Sequence, residues 1–340
     1  MSRTFAPWRP VVKTRYRVVM QIGIMLEGQE GLNWERWVRI SQQVDGLGLD
    51  SLWRSDHFFS VMARGERDSL ECWTSLTELA TRVRRIRFGP LVSPMTFRHP
   101  ALLARMAAAV DGLSNGRLVL GVGAGWNEAE HAAYGITLPA MKERMDRLEE
   151  GIKVIKALWT DGPVSLSGEY YALKDATLRP LPVQKPGPPL LIGGDGEQRL
   201  LRIVAQYADE WNSHPQSREI FAHKRRRLVE HCRDVGRDPD AIKCSTMLGV
   251  CIAADRDALA ERARWFKSFL TSLREVPAGR VLVALRERGW LVGVPDEVAE
   301  QLRDWEAVGV QRIMLQYFDM EDLEGLKLLA GVAQASVPTA

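Results

Sequence analysis

The sequence repeats one unit, a short apolar run followed by a helical segment, eight times. The runs start near residues 17, 50, 86, 116, 190, 209, 242 and 310. Most are continuous apolar stretches rather than strict alternations, which is typical of parallel strands covered by helices. A chain of 340 residues with eight such units predicts an α/β fold, a (β/α)8 TIM barrel. A doubly wound open sheet is the alternative, but it does not account for eight units.

Two stretches interrupt the repeat and predict insertions in the later βα loops. Residues 160–189 carry six prolines and a short alternating run, which favours a small hairpin. Residues 271–308 form an irregular, partly helical stretch. We therefore expect a flexible N-terminal extension at 1–16 and a single barrel domain at 17–335.

Composition narrows the class of partner. The net charge is +3, with 46 basic and 43 acidic side chains, so no nucleic-acid footprint is expected. The longest apolar runs fall short of the roughly 20 residues that span a bilayer, and the N-terminus lacks the apolar core of a signal peptide. The four cysteines show no CxxC spacing, which predicts neither a metal site nor a disulfide framework. The expected protein is soluble, reduced and cytoplasmic.

The second strand ends in "SDHF", which places Asp56 and His57 at the predicted barrel mouth. Active sites of this fold lie at the C-terminal ends of the strands. An imidazole beside a carboxylate suits proton transfer near neutral pH. The alternative is that Asp56 caps a turn while His57 packs against the wall. Motifs for a glycosidase pair, a metal-dependent hydrolase, a nucleophile elbow and a P-loop are all absent from the sequence.

The fourth strand ends in "GVGAGW", with Gly121, Gly123 and Gly125 at alternate positions. This is nearly a dinucleotide-binding fingerprint, but Trp126 stands where the last glycine belongs, and the motif does not follow the first strand. Glycines on one face of a strand remove side chains where something must lie against the backbone. We expect them to clear one wall of the mouth for a flat ligand.

The fifth strand ends in "IGGDG", which contains Gly193, Gly194, Asp195 and Gly196 just before a helix. Backbone N–H groups in such a loop, together with the helix N-terminus, can hold a phosphate. A tight βα turn without a ligand is the other interpretation.

Four segments in order resemble the luciferase-like monooxygenase superfamily, and more narrowly its F420-dependent oxidoreductases. They are "SDHF", "LVSPMTFRHPALLARMAAAVDGLSNGRLVLGVGAGWNEAEHAAYGI", "RMDRLEEGIKVIKALW" and "PPLLIGGDGEQRLLRIVAQYADEWN". The resemblance covers roughly residues 18–253. It implies a TIM barrel that holds a deazaflavin or a flavin at its mouth, and dimers that pack through barrel helices.

The resemblance also implies roles for individual residues. A cis peptide bond between Leu91 and Val92, just before Ser93, would back the cofactor ring. The loop Gly121–Gly125, which includes Ala124, would run beside the cofactor, and Gly193–Gly196 would hold its phosphate. Asp56 would bind the deazaflavin head, and His57 would lie beside the reacting carbon and supply a proton.

One position departs from the family. In the sugar-phosphate dehydrogenases of this branch, the resemblance places an acid–base glutamate where this chain has Trp126, so neither that substrate nor that acid is expected here. Glu27 and Glu30 are candidate replacements for the proton-transfer role. The expected function is hydride transfer between F420 and a small organic substrate. An FMN-dependent monooxygenase and a flavin-binding protein without catalysis are the alternatives.

Overall fold

The structure, a computed structural model, describes residues 20–63 and 65–335, so the expected extension 1–16 lies outside the described part. The strands are β1 (Gln21–Leu26), β2 (Ser51–Arg54), β3 (Arg87–Pro90), β4 (Ser93–Pro94), β5 (Leu120–Gly123), β6 (Val164–Ser167), β7 (Ala172–Ala176), β8 (Leu190–Gly193), β9 (Glu210–Ser213), β10 (Lys243–Ile252), β11 (Leu291–Gly293) and β12 (Arg312–Gln316). The helices are α1 (Trp34–Gly46), α2 (Cys72–Arg82), α3 (Pro100–Ser114), α4 (Glu128–Ala133), α5 (Met141–Leu158), α6 (Arg199–Tyr207), α7 (Arg218–Asp234), α8 (Arg256–Phe269), α9 (Val281–Glu287), α10 (Pro295–Ala307) and α11 (Leu323–Ala335).

The main sheet is a parallel barrel. Its strands follow the order β3, β2, β1, β12, β10, β9, β8, β5 and β4. β3 and β4 are two halves of one predicted strand, separated at a cis peptide bond between Leu91 and Val92, as expected. The amide of Phe88 donates a hydrogen bond to the carbonyl oxygen of Arg117, and the amide of Val119 donates to the carbonyl oxygen of Phe88. These two bonds close the barrel between β3 and β5. The predicted (β/α)8 barrel is therefore confirmed.

Eight of the described helices surround the barrel in the order α1, α2, α3, α5, α6, α7, α10 and α11. α10 joins this ring because Trp305 packs edge-on against Phe221 of α7. The segment 271–308, expected to be an insertion, therefore contains a barrel helix. The insertion at the mouth instead consists of α8, α9 and β11, which share a separate apolar cluster. Sequence periodicity does not distinguish the ring helix α10 from the insertion helices α8 and α9, because all three are amphipathic.

The segment 160–189 carries the hairpin that its alternating run indicates. β6 and β7 pair in antiparallel fashion and lie apart from the barrel sheet. The carboxylate of Glu150 on α5 accepts hydrogen bonds from the backbone amides of Tyr170 and Tyr171, which hold the hairpin against the ring.

The barrel interior is filled by side chains from every side. An apolar layer combines Met25, Trp53, Leu91, Val119, Leu191 and Met314. Beneath it, buried Arg312 donates hydrogen bonds to Asp50 at 3.0 Å and to Glu210 at 2.5 Å. An eight-stranded barrel is just wide enough to be filled in this way, so a ligand must bind above the plug, at the C-terminal mouth.

None of the described helices is long and apolar enough to cross a bilayer.

The four cysteines are buried free thiols, namely Cys72, Cys232, Cys244 and Cys251. Burial raises the pKa of the Cys251 thiol to about 12, so this group stays protonated and unreactive.

Candidate active site

His57 lies near the start of the loop that follows β2 and forms an ion pair with Glu130 of α4. Its Nδ1 lies 2.7 Å from Oε2 of Glu130, whose Oε1 accepts a hydrogen bond of 2.6 Å from the Phe58 amide. Glu130 is fully buried, whereas the His57 side chain keeps 17% of its surface exposed. Because the carboxylate binds Nδ1, Nε2 is the ring atom left for a ligand.

The contact between His57 and Glu130 shifts the pKa of both side chains. Burial alone would lower the pKa of His57, but the hydrogen bond and negative charge of Glu130 outweigh it and raise that pKa above its ordinary value. Burial alone would raise the pKa of Glu130, but hydrogen bonds from His57 and the Phe58 amide lower it. A histidine held in this way can carry a proton near neutral pH and exchange it through Nε2.

Asp56 points away from His57 and ties neighbouring strand ends together. It is buried, and its Oδ2 accepts hydrogen bonds from Ser93 at 2.7 Å and from Arg98 at 2.5 Å. Arg98 also donates to Oδ1 of Asp56 at 3.1 Å and to Glu71, the N-cap of α2, at 3.0 Å. These contacts fix the backbone beside His57. A direct contact of Asp56 with the deazaflavin head stays a prediction.

Trp126 lies at the rim and forms one wall beside His57. Its side chain is 62% exposed, and its ring meets the imidazole edge-on with 5.7 Å between centroids. An indole N–H donates a hydrogen bond but does not titrate in the working range, so acid–base chemistry at position 126 is absent. The carboxylate that acts on His57 comes from Glu130, four residues further along the chain.

The glycines of β5 and β8 make room for the segment between β3 and β4. A Cβ at Gly121 would lie 2.1 Å from the Pro90 carbonyl oxygen. Cβ atoms at Gly123 and Gly193 would lie 2.6 Å and 2.9 Å from the methyl groups of Val92. The space expected to receive a flat ligand directly is therefore filled by Val92 first. Any ligand contact of Gly121, Gly123 and Gly193 would lie above this side chain.

Gly125 and Ala124 complete the loop after β5. Gly125 has a φ of +81°, a region that favours glycine, and an added Cβ would meet the Thr96 hydroxyl at 2.6 Å. Its carbonyl accepts a hydrogen bond from Arg144. Ala124 is half-buried against the main core. The loop is thereby held from two sides, while its contact with a cofactor remains a prediction.

The "IGGDG" loop leads from β8 to the N-terminus of α6. Gly194 has a φ of +139°, and the carboxylate of Asp195 accepts hydrogen bonds from the Ser213 hydroxyl and the His214 amide. Lys224 pairs with the same carboxylate at 3.1 Å. Asp195 therefore links the ends of β8 and β9. Phosphate binding by Gly193–Gly196 remains a prediction.

The two candidate glutamates after β1 have different surroundings. Glu27 is buried and accepts hydrogen bonds from Gln29 at 2.9 Å and from Gln316 of β12 at 2.5 Å. Its charge also acts on His57. Glu30 instead accepts from the Ser60 hydroxyl and from the backbone amides of residues 61–63. Glu30 therefore holds the loop after β2, whereas Glu27 is the one of the two whose charge helps to raise the pKa of His57.

A cavity of about 720 Å³ opens at the mouth between the ends of β9, β10 and β12. Met62, His214, Trp290 and Gln316 are among its lining residues. Its size lies within the range that accommodates small organic ligands and cofactors.

A barrel mouth with a buried carboxylate–histidine pair and a neighbouring cavity defines an enzyme-like site, and comparisons place it in a family. The family model for the luciferase-like monooxygenases matches residues 14–312. The chain belongs to the luciferase-like monooxygenase family.

Individual relatives are more specific. An F420-dependent glucose-6-phosphate dehydrogenase of Amycolatopsis mediterranei is 38% identical over 173 residues, which cover 50% of this chain and 49% of that protein. The corresponding enzyme of Intrasporangium calvum is 29% identical over 297 residues, which cover 80% of this chain and 86% of the relative. The chain thus aligns with about half the length of the first relative. A solved F420-dependent secondary alcohol dehydrogenase shares the fold, with a TM-score of 0.79, 20% identity and coverage of 94% and 99%.

Glu130 and Arg98 are site residues that the sequence reasoning missed. Both lie within segments that the resemblance covers, in "NEAEH" and "TFRHP". Asn127 caps α4 through bonds to the amides of residues 129 and 130, which directs Glu130 from the first turn toward the barrel. An acidic residue in the first helical turn after a glycine-rich strand end was the available signal.

Proposed function

We propose that the protein transfers a hydride between the deazaflavin coenzyme F420 and a small organic substrate. The observation that carries this is the buried Glu130–His57 pair at the mouth of a luciferase-like barrel. F420 supplies a two-electron hydride acceptor or donor when bound, and the reaction still needs a proton to be moved. His57 moves that proton through Nε2, while Glu130 holds the ring and stabilises its charged form.

The mouth fits a deazaflavin with a phosphorylated tail. Val92, seated on Gly121, Gly123 and Gly193, offers an apolar surface for a flat ring. The loop around Gly194 and Gly196 leads to the N-terminus of α6, which has no side-chain cap, and the positive end of a helix dipole suits a phosphate. Asp56 keeps the β2 and β4 ends in register, and Trp126 limits the access of water to His57. These contacts are the support for our proposal that the residues named from the sequence bind the cofactor.

A reduced-FMN monooxygenase is the second candidate, because the family is described as luciferase-like monooxygenases. The two cofactors imply different reactions, since the deazaflavin lacks the ring nitrogen used to activate oxygen. A flavin-binding protein without catalysis is the third candidate, and the intact Glu130–His57 pair argues against it.

Titration with both cofactors separates these candidates. We expect purified protein to quench F420 fluorescence saturably and to leave the oxygen consumption of reduced FMN at the rate measured without protein. An oxygen electrode and a fluorimeter suffice for the measurement. Preferential binding of reduced FMN with coupled oxygen uptake would replace the proposal with the monooxygenase, and F420 binding without any hydride exchange would favour the third candidate.

The Glu130→Gln variant tests whether Glu130 sets the pKa of His57, the proposed proton-transfer group. Loss of the carboxylate charge removes the influence that raises the pKa of His57, while burial, which lowers it, remains. The inflection of kcat/KM that reports on His57 is therefore expected to move to lower pH. The pH profile of F420-coupled turnover measures the shift. Glu128→Gln, an exposed neighbour on the same helix, is the control. An inflection at the wild-type pH in Glu130→Gln would show that the pair does not set it.

We further propose that the protein is a homodimer that packs through α3. Leu102 and Leu113 lie on this helix with 59% and 49% of their surface exposed. They are separated by about three helical turns, so both project from one face. Apolar side chains aligned on one outer face favour a self-complementary interface.

Leu102→Asp is expected to convert the dimer to a monomer, because it places a charge in the apolar contact. Size-exclusion chromatography with light scattering measures the mass. Ile220→Asp, an equally drastic change on α7, is expected to leave the dimer intact. A wild-type protein that elutes as a monomer would refute the interface.

The remaining proposals concern organisation and compartment. We propose that residues 17–335 belong to one barrel domain, a proposal that the continuity of the sheet from β1 to β12 supports for the described residues. The protein works in the reducing cytoplasm, where the buried thiols stay unpaired.

A further inference from the structure

The mouth cavity differs from a site for a phosphorylated sugar in its charges. Arg288 is the one arginine or lysine among its described lining residues. Its guanidinium already donates hydrogen bonds of 2.9 Å to the hydroxyl and the carbonyl of Ser272. The neighbouring lining residue Glu287 is exposed and carries the opposite charge, and its partner Arg280, at 3.3 Å, lies outside the described lining. A phosphate dianion would meet one engaged cation and one repelling carboxylate, which is an unfavourable environment for tight binding.

The opposite wall of the cavity is apolar and rigid. The indole of Trp290 lies on β10, where a Cβ at Gly249 would stand 2.1 Å from its ring. Phe318 stacks on the indole, with centroids 5.4 Å apart and planes 5° from parallel, and Phe266 meets it edge-on with centroids 5.2 Å apart. Met62 and Leu270 continue this wall. Trp290 is half-buried among these groups, and the part of the ring that lines the cavity contributes binding free energy for a hydrocarbon through buried apolar area.

One polar group in the cavity is set up for a neutral hydroxyl or carbonyl. His214 donates from Nδ1 to the carbonyl oxygen of Met247 at 2.8 Å, so its neutral form leaves Nε2 as an acceptor. The side chain lines the cavity and is exposed. An imidazole nitrogen that accepts from a substrate hydroxyl orients an alcohol without requiring charge on the substrate.

The cavity also connects to the proposed proton-transfer group. Gly249 of β10 stands in register with Gln316 of β12, which lines the cavity. Gln316 donates a hydrogen bond to Glu27, and the negative charge of Glu27 is one of the influences that raise the pKa of His57. This link to His57 is electrostatic, because the hydrogen bonds of Glu27 go to Gln29 and Gln316.

We infer that this cavity is the substrate pocket and that it selects a neutral, largely apolar secondary alcohol or the corresponding ketone, with Trp290 as the residue that determines this specificity. The inference rests on the proposed F420-dependent function. In the oxidative direction the alcohol loses its carbinol hydrogen as hydride to oxidised F420 and its hydroxyl proton to a base. The C–O bond becomes C=O, and the hydride with one proton accounts for reduced F420. The ketone is reduced in the reverse direction.

The test compares 1-phenylethanol with glucose 6-phosphate as substrates for the protein saturated with oxidised F420. We expect kcat/KM for 1-phenylethanol to exceed that for glucose 6-phosphate by about a hundredfold or more, as sites that leave charged groups unpaired discriminate strongly. Trp290→Ala is expected to raise KM for 1-phenylethanol about tenfold, because the apolar wall is lost, without weakening F420 binding. Trp34→Ala, a half-exposed tryptophan at the start of α1, is the matched control and should change neither constant.

A gain of charge tests the same inference from the other side. Glu287→Lys replaces the repelling carboxylate with a cation at the cavity rim, and we expect it to improve glucose 6-phosphate binding relative to the wild type. Glu261→Lys, the same change at an exposed position of α8, should leave the binding unchanged.

Two readouts separate failure of this inference from failure of the proposed function. F420 fluorescence quenching reports on cofactor binding alone, so a protein that does not bind F420 contradicts the proposed function. Saturation-transfer NMR on the cofactor-free protein reports on the cavity alone, with 1-phenylethanol and glucose 6-phosphate as probes. Transfer to 1-phenylethanol that Trp290→Ala weakens supports the pocket with or without F420. Preferred turnover or binding of glucose 6-phosphate, or a Trp290→Ala variant identical to the wild type, overturns it.

Discussion

His57→Ala is expected to lower F420-coupled turnover by about a hundred- to ten-thousandfold, the usual contribution of one positioned acid–base group. The expected loss is in kcat, with the dissociation constant for F420 unchanged, because we propose that the imidazole moves a proton and that the loop Gly193–Gly196 holds the tail of the cofactor. Stopped-flow absorbance of F420 measures the first quantity, and fluorescence titration measures the second.

A second variant distinguishes the loss of proton transfer from a loss of the fold. Removal of the imidazole leaves the buried carboxylate of Glu130 without one of its partners, which can destabilise the protein. His57→Gln keeps a side-chain N–H for this carboxylate but cannot exchange a proton near neutral pH. We expect it to fold normally and to be as slow as His57→Ala. His223→Ala, a change at an exposed histidine on α7, should keep full turnover. Wild-type kcat in His57→Gln would remove His57 from the proton-transfer role.

Gly121→Ala is expected to lower the free energy of unfolding by about 1–3 kcal/mol, as overpacking in a dense interior does. The added Cβ would lie 2.1 Å from the Pro90 carbonyl oxygen and 3.3 Å from a methyl group of Val92. Because both belong to the segment that joins β3 to β4, relief of the clash must displace the wall proposed to back the cofactor. F420 binding is therefore expected to weaken together with stability. Urea denaturation and F420 titration measure the two effects.

The control for this variant is another glycine-to-alanine change. Gly331 lies in α11, and a Cβ there would have no heavy atom within 4 Å. Gly331→Ala should leave F420 binding intact and stabilise the helix by up to about 1 kcal/mol. If Gly121→Ala behaves like Gly331→Ala, the close approach of Pro90 is not what requires glycine in β5.

The barrel and the location of its mouth could be predicted from the sequence, because each strand and helix is encoded locally by apolar periodicity. The ends of β2, β5 and β8 carry the motifs that drew attention to His57, Gly121 and Gly194. Segment 271–308 shows the limit of this approach. Its helix α10 packs in the ring against Phe221, whereas α8 and α9 leave the ring and cover the mouth. Amphipathic helices in either place bury one face, so the pattern is the same for both.

The composition of the site depended on contacts between distant parts of the chain. Glu130 reaches His57 across 73 positions of sequence. Nothing local to either residue encodes that distance, since it is set by the way β5 and α4 dock beside the end of β2. The glycines of β5 lie at the mouth, as the strand pattern predicts. The space left by their missing side chains is occupied by Pro90 and Val92 and is not open to solvent.

The sequence by itself determined which residues stand at the barrel mouth, since alternation of strands and helices dictates which loops share one end of the barrel. Only the tertiary structure decided which of them touch. The order of loops around the mouth, the burial of Glu130 and the seating of Trp290 on Gly249 follow from the closure of the barrel. Closure brings together side chains that are far apart in the chain, and their pKa values and packing exist only once they meet.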